Sequence, residues 1–251
     1  MCCFTGVVVS VAATKIFARA GEKGRQYLVY SMRYEAKDEL AMVLPLPTPR
    51  KSAEDAVKFI SLEKYDNFFA DMEKGFPAPK PRGLPNLAAG GLGGHKPDLA
   101  VVEVGSYEAS FVPSVADFAR LDKRFRLPDG VWEKLPGYKE YGFAVFKLKA
   151  DKTTVHPMAF DFPRARPKQI FFPTVHIHDG EVHDTADFDH VLYVQMSEGS
   201  RPPRGWREST VPAGMHMDLK RSQGLLDGDS HAYRQELRGN LKNADTLVGA
   251  A

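Results

Sequence analysis

Residues 26–34 read QYLVYSMRY, with large apolar side chains at Leu28, Tyr30, Met32 and Tyr34 and smaller or polar ones at Val29, Ser31 and Arg33. An alternation of period two describes a strand with one face against a core. Working outward, the β-branched run GVVVSVAATKIFAR (6–19) predicts one or two further strands, and GEKG (21–24) the turn of an antiparallel hairpin. Downstream, ELAMVLPLPTP (39–49) predicts a strand whose Pro45, Pro47 and Pro49 lack ladder donors and place that end at an edge. SAEDAVKFISL (52–62) and KYDNFFADMEKGF (64–76) carry apolar residues at helical spacing, with Ser52 ahead of Glu54 and Asp55, so two short helices are expected.

The run FPAPKPRGLPNLAAGGLGGHKPD (76–98) is rich in Pro and Gly without an apolar period. It predicts a connecting loop between an N-terminal half, 1–75, and a second half, 99–196, unless the chain forms one continuous domain. Its GGLGGHK resembles a phosphate loop but has no Ser or Thr after Lys96. Beyond it, LAVVEVGSYEASFVP (99–113) suggests two strands and SVADFARLDKRF (114–125) a helix. YGFAVFKLK (141–149), VHPMAFDFP (155–163), KQIFFPTVHIH (168–178) and FDHVLYVQM (188–196) suggest further strands. Residues 197–251 are expected to be an extended segment with a short helix at DSHAYRQELRGNL (229–241). The expected fold class is α+β: mostly antiparallel sheets with a few short helices packed on them.

The chain has 251 residues, 43% of them hydrophobic, enough to bury a substantial core. With 34 Lys and Arg against 32 Asp and Glu, there is no basic excess of the kind that tracks phosphates, which argues against a nucleic-acid partner. No stretch reaches the roughly 20 apolar residues of a membrane span. FTGVVVSVAAT (4–14) lacks the charged start of a secretion signal, so an extracytoplasmic location is expected only if a leader has been removed, and a cytoplasmic one otherwise.

YSMRYEAKDELAMVLPLPTP (30–49), VEVGSYEASFVPSVADFARLDKRFRLP (102–128), YGFAVFKLK and VHPMAFDFPRARPKQIFFP (155–173) follow one another in an order and spacing that resembles a bacterial domain-of-unknown-function family (number 2330). The resemblance covers most of residues 1–173. It implies the same architecture, an extracytoplasmic origin and a paired cysteine at the mature amino end, here Cys2 and Cys3, but no reaction. The chain departs from that pattern in lacking the signal.

PTVHIHDGEVHDTADFDHVLY (173–193) holds four of the eight histidines. On a strand, Thr174, His176 and His178 share a face, while Phe171, Val175 and Ile177 take the other. A turn at Asp179 and Gly180 would return His190 on a neighbouring strand. Two imidazoles at i, i+2 with a third from the next strand form a set suited to a divalent transition metal, with His183 as a fourth or supporting group.

The only two cysteines, Cys2 and Cys3, are adjacent, which excludes an ordinary structural disulfide between them. They can act as metal thiolates, as a redox pair, or as small buried apolar residues. Sulfur also neighbours histidine at His156 and Met158 and at Met215, His216 and Met217, which favours copper over harder ions. The leading expectation is therefore one transition metal, copper before zinc, held by His176, His178 and His190 with Cys2 or Cys3, in a binding protein or a metal-dependent redox enzyme that also takes a small-molecule substrate. The alternatives are an amino-terminal-nucleophile amidohydrolase, with Cys2 attacking and Arg19 at the end of the following strand, and a non-catalytic surface or scaffold domain.

Overall fold

The computed structural model describes residues 2–6, 8–77, 107–121, 123, 126–127, 130–148, 151–154, 156–177, 182–197 and 199–249. Its architecture is mostly β, which corrects the expected α+β class: three sheets dominate, and among the described residues α-helix is confined to one short segment, α1 (Phe68–Lys74).

The largest sheet has the order β13 (Arg207–Glu208), β14 (Tyr233–Lys242), β12 (Thr185–Gln195), β2 (Val8–Ala20), β3 (Arg25–Ala36), β9 (Met158–Pro163) and β5 (Lys58–Ser61), with β8 (Asp151–Thr154) also on β3. The second has the order β11 (His176–Ile177), β1 (Cys2–Phe4), β4 (Leu40–Leu46), β7 (Gly142–Leu148) and β6 (Tyr107–Val112). A third pairs β10 (Gln169–Phe172) with β15 (Thr246–Gly249). The expected hairpin forms, with Val29 of β3 opposite Phe17 of β2. Both larger sheets draw strands from either side of residues 76–98, so the two sequence halves interleave.

Alternation fixes the layers. Ile16, Leu28, Tyr30, Phe160, Leu192 and Val194 face inward from the large sheet and meet Met42, Leu44, Ala144 and Phe146 from the second, forming a shared core. Residues of opposite phase on the large sheet, such as Phe17, Val29 and Tyr193, are covered by Phe68, Phe69 and Met72 of α1 and by Met217 and Leu225. On the outer face of the second sheet, Val43, Phe143 and Val145 lie beneath Phe118, Val131 and Leu135. Strands covered on both faces lose their polar alternation. β4 is the clearest case, with every residue buried.

The predicted helix at 52–62 is instead partly β5, paired to β9, and that at 229–241 becomes β14, paired residue by residue to β12. Tyr233, Gln235, Leu237, Gly239 and Leu241 take one face of β14 and a row of charged or amide residues the other, so sheet pairing overrides the Leu237/Leu241 helical spacing. Where the helix at 114–125 is expected, the described residues include a 3-10 segment, Val115–Arg120. β4 is not an outer strand, since it lies between β1 and β7. Among the described residues β1 pairs with β4 at Met42 and Val43, before Pro45, which faces Phe143 on the other side.

Two buried glutamines stand in for missing backbone ladders. Gln26 donates from Nε2 to the Phe171 carbonyl at 2.7 Å and accepts the Phe171 N–H at 3.0 Å, tying β3 to β10. Gln195 donates to the Asp227 and Ser230 carbonyls and accepts the Asp227 N–H, closing the loop that follows β13.

Candidate metal centre

His176 and His190 meet, though not as strands of one hairpin. β11 pairs in parallel with β1, Cys2 opposite His176 and Cys3 opposite Ile177, whereas β12 lies in the other sheet between β14 and β2. The chain between them therefore crosses from one sheet to the other. His190 shares the inward phase of Leu192 and Val194, is 1% exposed, and reaches the end of the inter-sheet core. There its Nε2 stands 3.2 Å from Nε2 of His176. The two ring centroids are 4.6 Å apart with planes inclined at 32°. Phe188 packs against His176 at 4.5 Å.

The surroundings hold both rings. Asn243, just after β14, accepts the His176 N–H at 2.7 Å and donates Nδ2 to the His176 carbonyl at 2.9 Å and to the His183 carbonyl at 3.0 Å. Asp189 places Oδ1 3.7 Å from His190 Nδ1, while its Oδ2 accepts the Ala13 N–H at 2.5 Å. Ala13 sits in a bulge of β2 with φ of 55°, a conformation unusual for a residue with a Cβ. A cavity of about 460 Å³ opens onto these groups, lined also by Thr14, His183 and Asp187. The Thr14 side chain is 1% exposed, and its hydroxyl has no hydrogen-bond partner.

The other expected ligands fall differently. His178 lies outside the described residues. Cys2 faces His176 across the backbone ladder. Cys3, paired with Ile177 and therefore on the opposite face, is wholly buried with Ala41, Val43, Val175 and Ile177, so the structure does not bring it to the imidazoles. Thr174, expected beside the histidines, is also buried, and its hydroxyl donates to the Ala244 carbonyl. Met158 lies in the inter-sheet core, and Met217 packs beneath α1, far from that layer. Burial holds the imidazoles of His156 and His216 below their ordinary pKa. Arg19, in the other sheet from Cys2, donates to the Gly224 and Leu225 carbonyls and stacks on Tyr27. Among the described residues no group of three or more His, Cys, Asp or Glu side chains is placed to hold one ion.

A second cavity, of about 380 Å³, lies beside the first and shares Asn243. Asp245 organises it by accepting the Tyr138 hydroxyl at 2.6 Å and the N–H groups of Thr174 and Val175. Burial, then the nearby Asp245 carboxylate, raises the Tyr138 pKa, so the phenol stays a donor. Asp189, Asn243 and Asp245 carried no sequence signal, because each acts through a contact distant along the chain, and Thr14 carried none because only the fold places it at the cavity.

Among the described residues no helix is long and apolar enough to cross a membrane. No protein-family model matches the chain, and no curated protein matches it. Among solved structures it is similar to baculovirus P35, at 13% identity over 98% of this chain and 99% of that one, with a TM-score of 0.54. It is also similar to a mutated baculovirus P35 after caspase cleavage, at 13% identity over 95% of this chain and 99% of that one, with a TM-score of 0.51. At that identity the likeness is one of fold, and it runs nearly end to end through both chains.

Proposed function

We propose that this chain is a protein-engaging scaffold that binds and restrains a cysteine protease of the caspase kind, and is itself cut in doing so. The observation that carries the reading is the end-to-end match of its β architecture to baculovirus P35, a fold also seen after caspase cleavage. Function resides in sites carried by a fold, so the chain's own features must supply the rest. A protease takes its substrate as an extended segment. Residues 76–98 are the stretch that the sequence, by its Pro and Gly content, predicts to be a connecting loop, and long connections on rigid scaffolds commonly carry binding function.

The described residues leading into that connection are firmly held. Phe76 is 4% exposed, Arg207 donates to its carbonyl at 2.9 Å, and the Thr210 N–H donates to the Gly75 carbonyl at 2.8 Å. At the far end, β6 is laddered to β7 from Tyr107 onward. Anchors of this kind reduce the ordering cost of binding. Asp98 is the one aspartate in the connection, and a caspase requires an aspartate on the acyl side of the bond it cuts.

The test is incubation of the purified chain with a panel of caspases, followed by residual activity and intact mass. Inhibition accompanied by a cut after Asp98, both abolished in Asp98→Ala, is the expected outcome. Full caspase activity together with an uncut chain at micromolar concentration rejects the proposal.

A further inference from the structure

We infer that His176 and His190 together hold one divalent transition metal ion at the end of the inter-sheet core, with its remaining coordination positions open to the adjoining cavity. This site is separate from the protease-engaging reading and stands or falls without it. Two imidazole nitrogens bound to one ion at about 2.0–2.1 Å lie roughly 2.9 Å apart at a right angle and roughly 3.4 Å apart at the tetrahedral angle. The observed 3.2 Å falls between these values.

Ring orientation agrees. The centroids, at 4.6 Å, are farther apart than the Nε2 atoms, so the rings converge on their Nε2 ends. The 3.2 Å contact also meets the length of an N–H···N hydrogen bond, bent at the accepting ring. The same pair can share a hydrogen bond when no ion is bound, which keeps both nitrogens in place for it.

Charged and polar groups flank the pair. Asp189, held by the Ala13 N–H, places its carboxylate 3.7 Å from Nδ1 of His190, longer than a hydrogen bond but close enough to add negative potential beside the proposed ion. Asn243 fixes the backbone of His176 on both its N–H and its carbonyl. The buried, unpartnered Thr14 hydroxyl lines the cavity onto which the pair opens and can hydrogen-bond a water or small anion on the metal. Among the described residues the two imidazoles are the protein's contribution to the ion. Borderline nitrogen donors then select copper(II) ahead of zinc.

The test uses the full chain, purified without a histidine tag, stripped with chelator and titrated with copper(II). One equivalent is expected, with the paramagnetic resonance of two equivalent imidazole nitrogens. His176→Ala and His190→Gln, checked for folding by melting, are each expected to weaken binding at least tenfold and to remove the two-nitrogen pattern. The wild-type chain gives a second measurement that needs no variant: copper is expected to slow modification of His176 by diethyl pyrocarbonate, mapped by peptide mass. A two-nitrogen signal that survives in folded His176→Ala, or a His176 modification rate unchanged by copper, overturns the inference.

Discussion

The backbone N–H of Ala13 donates to the carboxylate of Asp189 at 2.5 Å, joining the bulge of β2 to β12 where their ladder ends. That ladder runs only from Lys15 opposite Val191 to Arg19 opposite Gln195, so the carboxylate replaces the next backbone acceptor. Asp189→Ala is expected to lower unfolding free energy by about 1–3 kcal/mol, since it leaves a partly buried donor unsatisfied. Ala13→Gly should instead raise it by about 1 kcal/mol, because glycine adopts the positive φ without a Cβ penalty that exceeds its added chain entropy. Urea titrations of both variants check the pair, and a less stable Ala13→Gly protein would contradict the account of the bulge.

Gln26 holds the two-stranded sheet to the large one. Its side chain is fully buried and satisfies both backbone groups of Phe171. Gln26→Leu keeps the volume close but orphans a buried N–H and a buried carbonyl together. A loss of about 2–6 kcal/mol follows, at about 1–3 kcal/mol for each group. Gln26→Glu should be nearly as costly at neutral pH, since a carboxylate accepts from the N–H but repels the carbonyl. Melting within 2 °C or so of wild type for either variant would show that water replaces the amide.

Much of the sheet content was visible in the sequence, and the residues that mislead do so for definable reasons. β3, β7, β9 and β12 follow from apolar alternation or apolar runs. β14 was not legible, because the apolar spacing of Tyr233, Leu237 and Leu241 fits period four as well as period two and reads as a short helix. Only the partner strand, which is remote in sequence, decides between them. At the candidate site, His176 and His190 were recognisable by type and phase, but the route that brings them together was not. A one-residue difference in phase separates Cys2 from Cys3, sending Cys3 into an apolar layer with Ile177. The parallel pairing of β1 with β11 that fixes this phase leaves no local mark on either segment.

Gly75 shows how a close approach dictates a residue. Its φ of −68° suits any amino acid, yet a Cβ there would lie 2.6 Å from Nε2 of His216 and 3.3 Å from Cβ of Ser209. Gly75→Ala is therefore expected to cost about 1–3 kcal/mol through overpacking. Shortening the opposing side chain in Gly75→Ala/His216→Ala should recover part of that loss relative to His216→Ala alone. A double-mutant cycle by thermal unfolding measures the coupling, and additive effects would show that the ring moves aside freely.

Tyr65 sets a window for alkaline unfolding. Its side chain is fully buried, its oxygen accepts the Asp218 N–H at 2.8 Å, and burial pushes its pKa up to about 12. The unfolded phenol titrates near 10, so the folded state holds the proton more tightly. The resulting stability is complete below pH 10 and is lost as pH rises from 10 through 12. Tyr138, Tyr141, Tyr193 and Tyr233 are raised as well, so alkali destabilises the whole protein and Tyr65 must be isolated by difference. Tyr65→Phe is expected to be about 1 kcal/mol less stable than wild type at pH 8, having left the Asp218 N–H without its acceptor. That gap should close, and then invert, between pH 10 and 12, because only the wild type carries the buried phenol that must ionise. Chemical unfolding of the two proteins at half-unit steps measures it, and a gap constant across the range would mean that Tyr65 titrates like an exposed tyrosine.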